Sequence, residues 1–433
     1  MRVRISSLFV TSLFAVATLS VALPMSFEFR QLVSLLGVSI VELLLLPTLL
    51  LIFVYRPRAF FPIGYRRICM LLYLFLVWSI SRGTVGVMEG NELDSALRGV
   101  RHYLPFLTLP PLLYLLHTWS PDARRNLATL TTFLIIGYFV YALFLALVVI
   151  SPTASNLLLI KPFLYRISSS TIAISMTLLL LAYLQYKEKN LHGVLIALAI
   201  TSVGITFLLA QSRMSSVMLL FLVGMSVFLY TVRTLRMRFL AISASMLSTV
   251  LIALLGTFLL LNYVISDFEQ FTELFTRRVQ VQQQSGNLWE SAWRQSFGTE
   301  AFRARVISAA STMPEVGFGE GKGVGQTMSQ EDGAYIDSTM ITMWFKNGFI
   351  GVILFYAFWI AIGTRFFQGY LEGRSRLHIG VASIGTASIF VWMLWSSANI
   401  FLMYGWVLYP IMSIIAVSLF LLEEGESSLK PER

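Results

Sequence analysis

Basic residues in costly places are the first chemical signal in this chain. Arg213 sits in Gln211-Ser-Arg-Met214, a tight connection between two long apolar runs with no loop to solvate it, and Arg82 interrupts another such run. Arg98, Arg101, Lys161, Arg166, Arg303 and Arg305 fall in or beside connections of the same set. An ionised group near the hydrocarbon boundary of a membrane is expensive, so each must snorkel, pair with an acid or meet a ligand. Guanidinium forks match phosphate oxygens bidentately. A cluster of them beside a membrane therefore suits an anion with a large polar headgroup, such as a polyprenyl pyrophosphate carrying sugars. Arginines there can also stabilise the charge that grows on a departing pyrophosphate. A carboxylate or histidine would then take the proton from an attacking hydroxyl.

A second signal is Gly317-Phe-Gly-Glu-Gly-Lys-Gly-Val-Gly325, with glycine at alternate positions. No Ser or Thr follows Gly321-Lys322, so a nucleotide-binding P-loop is excluded. Gly317 and Gly319 instead fit a turned loop whose backbone can approach a ligand closely. Metal chemistry has little to work with. The single cysteine, Cys69, lies in an apolar run, and four histidines are scattered.

The elements that position these residues are membrane helices. Of 433 residues, 57% are apolar and only 12% charged, too little charge to cover a soluble domain. A span needs about 20 apolar residues, and by that measure the chain holds about twelve. The first six are Ser6–Met25, Leu32–Tyr55, Ile68–Val87, His102–Trp119, Leu127–Ile150 and Ser168–Tyr186. The other six are Leu191–Ala210, Met214–Val232, Phe239–Ile265, Ser338–Gly363, Leu377–Ala398 and Phe401–Leu422. Pro105, Pro110 and Pro111 bend the fourth. The first, after Arg2 and Arg4, is read as a span rather than a signal peptide.

Alternate connections then sort by charge. Arg56/Arg58/Arg66/Arg67, Arg124/Arg125, Lys187/Lys189, Arg233/Arg236/Arg238 and Arg365/Arg374/Arg376 form one set, short and basic, which places it and both termini in the cytoplasm. The net charge of +10 is thus a topology signal and not a nucleic-acid footprint. The outer set includes the one large soluble segment, 266–337, inside a single membrane domain of residues 1–433. Within it, 267–281 has Phe268, Phe271, Leu274, Phe275 and Val279 at amphipathic helical spacing. The expected fold is all-α and polytopic, with this helical loop outside.

Several of these residues together resemble the O-antigen ligase and O-antigen polymerase (Wzy-like) superfamily. Gln211-Ser-Arg213 opening an apolar helix is similar to the corresponding family element, and Arg213 and Gly224 match an Arg-x10-Gly pattern. Pro314-Glu-Val-Gly317-Phe-Gly319 and Gly348-Phe-Ile-Gly351 resemble two further family motifs, the latter inside a helix. The resemblance covers roughly 211–363 and the topology, and implies a GT-C-like membrane glycosyltransferase. Two departures stand beside it. Where ligases place histidine, eleven positions before Gly348, this chain has Asp337 followed by Ser338, and where Gly-Arg is expected it has Gly298-Thr299.

Losing the histidine favours a polymerase-type member over a ligase. The resemblance then implies Asp337 as the base, a residue equally well placed to cap the helix that follows. Arg303, one turn after Thr299, supplies the missing guanidinium beside Arg213, with Arg305 as competitor. Arg98, Arg101, Lys161, Gly317 and Gly319 complete the substrate-binding set. The implied partners are a polyprenyl-pyrophosphate-linked oligosaccharide, membrane lipid, a chain-length regulator and a flippase. A transporter or flippase is the competing class, with Glu42 as the acidic residue deep in a span. No cofactor is expected. Because no Asp-x-Asp pair lies in 266–337, chelation with EDTA should leave in-vitro chain extension unchanged; loss of extension on chelation, restored by a divalent cation, would contradict it.

Overall fold

The structure is a computed structural model describing residues 2–22, 40–90, 93, 102–119, 122–150, 161–210, 213–235, 339–373, 375–398, 402 and 405–427. Among the described residues there are eleven α-helices and no strand. They are α1 Arg2–Ala22, α2 Ile40–Tyr55, α3 Arg66–Met88, α4 Leu109–Trp119, α5 Ala123–Ile150 and α6 Lys161–Lys187. There follow α7 Gly193–Ala210, α8 Arg213–Leu235, α9 Thr339–Glu372, α10 Arg376–Ala398 and α11 Gly405–Ser427. Each coincides with an expected apolar segment; the remaining one, Phe239–Ile265, and the segment 266–337 lie outside the described residues.

Four helices hold stretches long and apolar enough to cross a membrane: Arg66–Met88, Ala123–Ala146, Lys346–Glu372 and Arg376–Ser396. Shorter apolar helical stretches accompany them, including Leu8–Ala22, Val41–Tyr55, Gly193–Thr206 and Val407–Glu423. The chain is therefore an α-helical membrane protein. Its outward faces carry the expected apolar stripes. On α9, Phe349, Ile353, Ile360 and Phe367 are exposed at spacings close to one face, and on α3 Met70, Leu74 and Val77 are. In water such stripes would be a liability; in lipid they are the solvent contact.

The bundle is built around α11. Every residue from Val407 to Leu422 is buried, so this helix has no lipid face. It packs against α1, α4, α5, α6, α9 and α10. A helix apolar on all sides belongs in an interior, and Ser413, Ala416 and Ser418 keep its surface narrow enough for neighbours to approach. Close approaches recur around it: a methyl on Gly369 would press on Leu422 Cδ1 at 2.7 Å, and one on Gly137 of α5 would meet the Thr18 carbonyl of α1 at 2.9 Å. The first helix is thereby an integral part of the bundle, its Phe9, Leu13, Phe14 and Ala17 buried.

Two segments depart from the simple pattern. Arg82 does not interrupt α3, which continues through it to Met88. The proline-rich stretch is divided instead into a 3-10 segment, Leu104–Thr108, and the 11-residue α4. Pro105 falls at the first turns of the 3-10 segment, and Pro110 and Pro111 at the first turn of α4, where a missing N–H leaves no bond unmade.

One end of the bundle gathers the basic connections. Glu423, at the end of α11, accepts from His117 Nε2 at 2.8 Å and from Arg365 Nη2 at 2.9 Å, tying α4 and α9 to it. The His117 ring packs edge-on to Phe420 and beside Tyr65, just before α3. Arg233, near the end of α8, donates to the Leu371 carbonyl near the end of α9 at 2.5 Å. At 1.5 Å per residue, residues about 19 positions along a helix from this end lie about 28 Å away, at the opposite end.

Burial pushes the Glu423 carboxyl up, but hydrogen bonds from His117 and Arg365 outweigh it and hold it below its ordinary 4.5. A depressed carboxylate stabilises the fold fully above its unfolded value and loses that contribution as pH falls through the folded value. Glu423→Gln should therefore lower stability by about 2 kcal/mol at neutral pH. Thermal unfolding in detergent should also show the variant with a shallower loss than wild type below pH 4.5; parallel acid profiles would contradict it.

Candidate functional site

Helix direction assigns each basic residue to an end. Arg213 opens α8, whose Arg233 lies at the basic end, so Arg213 stands about 30 Å away at the other. Gln185 of α6 donates to Thr131 near the start of α5 at 2.7 Å, and Arg124 of that start lies within electrostatic reach of His378 in the first turn of α10. Lys161 and Arg166, at the far end of α6, are therefore also opposite the basic connections. Arg82 lies four turns along α3 from Arg66 and shares that end. The structure thus brings Arg82, Lys161, Arg166 and Arg213, from three helices, to one end of the bundle. Arg98, Arg101, Arg303, Arg305, Gly317, Gly319 and Asp337 lie outside the described residues.

At this same end, α9 is broken. Gly348 has φ 68° and ψ −175°, outside helical geometry, so α9 is two helical segments joined across a kink. The expected Gly-x-x-Gly helix is corrected here: Gly348 makes the break and Gly351 makes the contact. A methyl on Gly351 would overlap the Asn347 Cβ and approach Trp78 Cδ1 at 3.4 Å. Glycine at 351 thus leaves room for the Asn347 side chain across the kink, while the contact with α3 is an ordinary one.

The carbonyl next to the break has a partner of its own. Trp78 Nε1 of α3 donates to the Asn347 carbonyl at 2.6 Å. The Asn347 side-chain amide donates to Tyr103 Oη at 2.8 Å and reaches Met343 Sδ at 3.3 Å. Tyr103, Asn347 and Met343 are buried, so each of these groups needs its partner. Beneath them lies an aromatic layer in which Phe75, Phe106, Phe355 and Trp359 meet mostly edge to face, with centroids 5.5–6.2 Å apart. The break is therefore held from two sides, by a hydrogen-bonded knot above and rigid rings below.

Lys346 is the residue that sequence reading overlooked. It lies inside the expected span Ser338–Gly363, is 2% exposed, and its Nζ has no hydrogen-bond partner. A single cation eight positions into an apolar segment was the available signal, since intramembrane charge is functional by default. Arg82, one turn beyond Trp78 on α3, lies on the face that meets the kink.

Elsewhere the interior carries ordinary packing. Thr177 and Ser388 share a hydrogen bond of 2.9 Å across α6 and α10, at a void of water size lined by Phe366, Trp392 and Ile415. It is too small for a substrate.

Gly348→Ala forces a side chain into the left-handed region and should cost about 2 kcal/mol. Gly204→Ala on α7, with nothing within 4 Å, should be neutral or slightly stabilising. Thermal unfolding of the two variants side by side checks this, and equal midpoints would contradict it. No family model matches the chain and no curated protein matches it, so the functional reading rests on the residues themselves.

Proposed function

We propose that the protein is a polysaccharide polymerase, a glycosyltransferase that joins polyprenyl-pyrophosphate-linked oligosaccharide repeat units at the outer face of a bacterial cytoplasmic membrane. The observation that carries this reading is the concentration of Arg82, Lys161, Arg166 and Arg213 at the end of the bundle opposite the basic connections. Basic connections face the cytoplasm by the positive-inside bias. Cations at the other end run against that bias and would favour an anionic ligand there. A lipid-linked pyrophosphate brings one to the correct depth, at the membrane surface, with its glycan projecting outward.

In this reading the chain has twelve spans with both termini cytoplasmic, and the outer segment 266–337 completes the site. Arg213, with Arg303 or Arg305, neutralises the pyrophosphate as it leaves the anomeric carbon of the growing chain. Asp337 takes the proton from the acceptor hydroxyl of the next lipid-linked unit. One displacement without a covalent intermediate inverts the anomeric centre. The O-antigen ligase reading differs only in acceptor, and the Asp337 found in place of the ligase histidine supports the polymerase.

Arg213→Ala should reduce chain extension by about a hundredfold or more, the scale of a lost oxyanion-type contact, while membrane levels of the protein stay normal. The polysaccharide profile of a deletion strain complemented with the variant measures this: single repeat units are expected where wild type restores long chains. Full-length chains from the variant would remove Arg213 from the site. Accumulation of long lipid-linked chains in the deletion strain would indicate a ligase instead.

A further inference from the structure

We infer that Lys346, at the break in α9, is a binding residue for the phosphate group of a lipid phosphate or diphosphate. The residue is 2% exposed and its ammonium has three donors with no acceptor in the protein. Its neighbours are already committed. The Asn347 carbonyl accepts from Trp78, the Asn347 amide is spent on Tyr103 and Met343, and Gly348 has no side chain to offer. A buried amine left this way can carry its charge only when an anion arrives from outside to meet it.

Three further features specify the arrival as an amphiphilic anion. The break at Gly348 creates a second helix N-terminus within α9, and the segment from Phe349 to Glu372 directs its positive dipole end at the place where Lys346 sits. Arg82, one turn outward from Trp78 on the facing helix, brings a second cation toward the same break. Below the break, Phe349, Ile350 and Ile353 are 59%, 39% and 50% exposed, an apolar track that begins within three residues of the ammonium. Phosphate at the break and chain along the track describes a prenyl phosphate better than a free anion. The assignment rests on the proposed reading for the identity of the lipid, but binding is measured without transfer, so each can fail alone.

The test uses the full chain in nanodiscs of zwitterionic lipid, with farnesyl diphosphate, farnesol and inorganic diphosphate as probes. Wild type should bind farnesyl diphosphate at least about tenfold more tightly than farnesol, a difference of about 1.4 kcal/mol. Lys346→Met should lose that discrimination yet unfold, without ligand, at a temperature no lower than wild type, because it removes a buried polar group that has no partner. Lys346→Arg should retain discrimination; if Lys346→Met does not fold, Lys346→Gln replaces it under the same binding criterion. Undiminished discrimination in Lys346→Met overturns the inference, as does a wild type indifferent to the diphosphate. Inorganic diphosphate binding as tightly as the farnesyl ester would overturn the lipid source. If the deletion strain still makes long chains while Lys346→Met loses binding, the polymerase reading fails and the phosphate site stands.

Discussion

The bundle is arranged around a helix whose residues from Val407 to Leu422 are all buried. Between membrane helices the hydrophobic effect does not discriminate protein from solvent, so association depends on close packing and on polar contacts. Helix α11 satisfies the first through its narrow surface of Ser413, Ala416 and Ser418 and the second through Glu423 at its end. Its burial from Val407 to Leu422 forces its neighbours into a ring, and that ring fixes which helix ends share a level. Glycines do the same work between outer helices: Gly385 of α10 lies under the Phe366 ring, and a methyl on Gly380 would meet Leu184 Cδ2 at 2.5 Å.

The two ends handle charge in opposite ways. At the basic end, Arg365 meets Glu423 and Arg233 meets the Leu371 carbonyl, so these two cations have partners inside the protein. Such pairs lock helix ends together and leave nothing over for a ligand. At the other end Lys346 is buried with no acceptor. Both sets of cations are equally basic in composition, so composition cannot separate a structural end from a binding end. Geometry separates them at Lys346, because a paired group has finished its electrostatic work and an unpartnered amine has not.

Much of the fold was legible in the sequence. Apolar length and the placement of Arg and Lys in connections anticipated the described helices and their alternation, since lipid forces each spanning segment to satisfy its own backbone. The expectation for Arg213, at the mouth of a helix remote from the basic connections, agrees with where α8 starts. What the sequence hid was conformation inside a segment. Pro105, Pro110 and Pro111 suggested a bend, but not the division into a 3-10 segment and a short helix. Gly348 and Gly351 have one letter and two jobs, a positive φ and a close contact, and spacing does not distinguish them. Lys346 was concealed by its position near the start of a span, where a lysine ordinarily snorkels. Only its burial shows that it does not.

Three consecutive residues therefore combine three special features: a buried amine without an acceptor, a carbonyl held by a tryptophan, and a left-handed backbone. The last two explain each other. A helix that docks on α3 bends at Gly348 and is secured there through Asn347, which meets both Trp78 and Tyr103. The cation enters neither role: the bend, the Trp78 contact and the aromatic layer would all survive with methionine at 346. Strain and unmet polarity persist where the surrounding structure over-determines them, and they cluster at functional sites. A residue that the architecture does not need, kept at the point where the architecture is most specialised, is best explained by what the site holds.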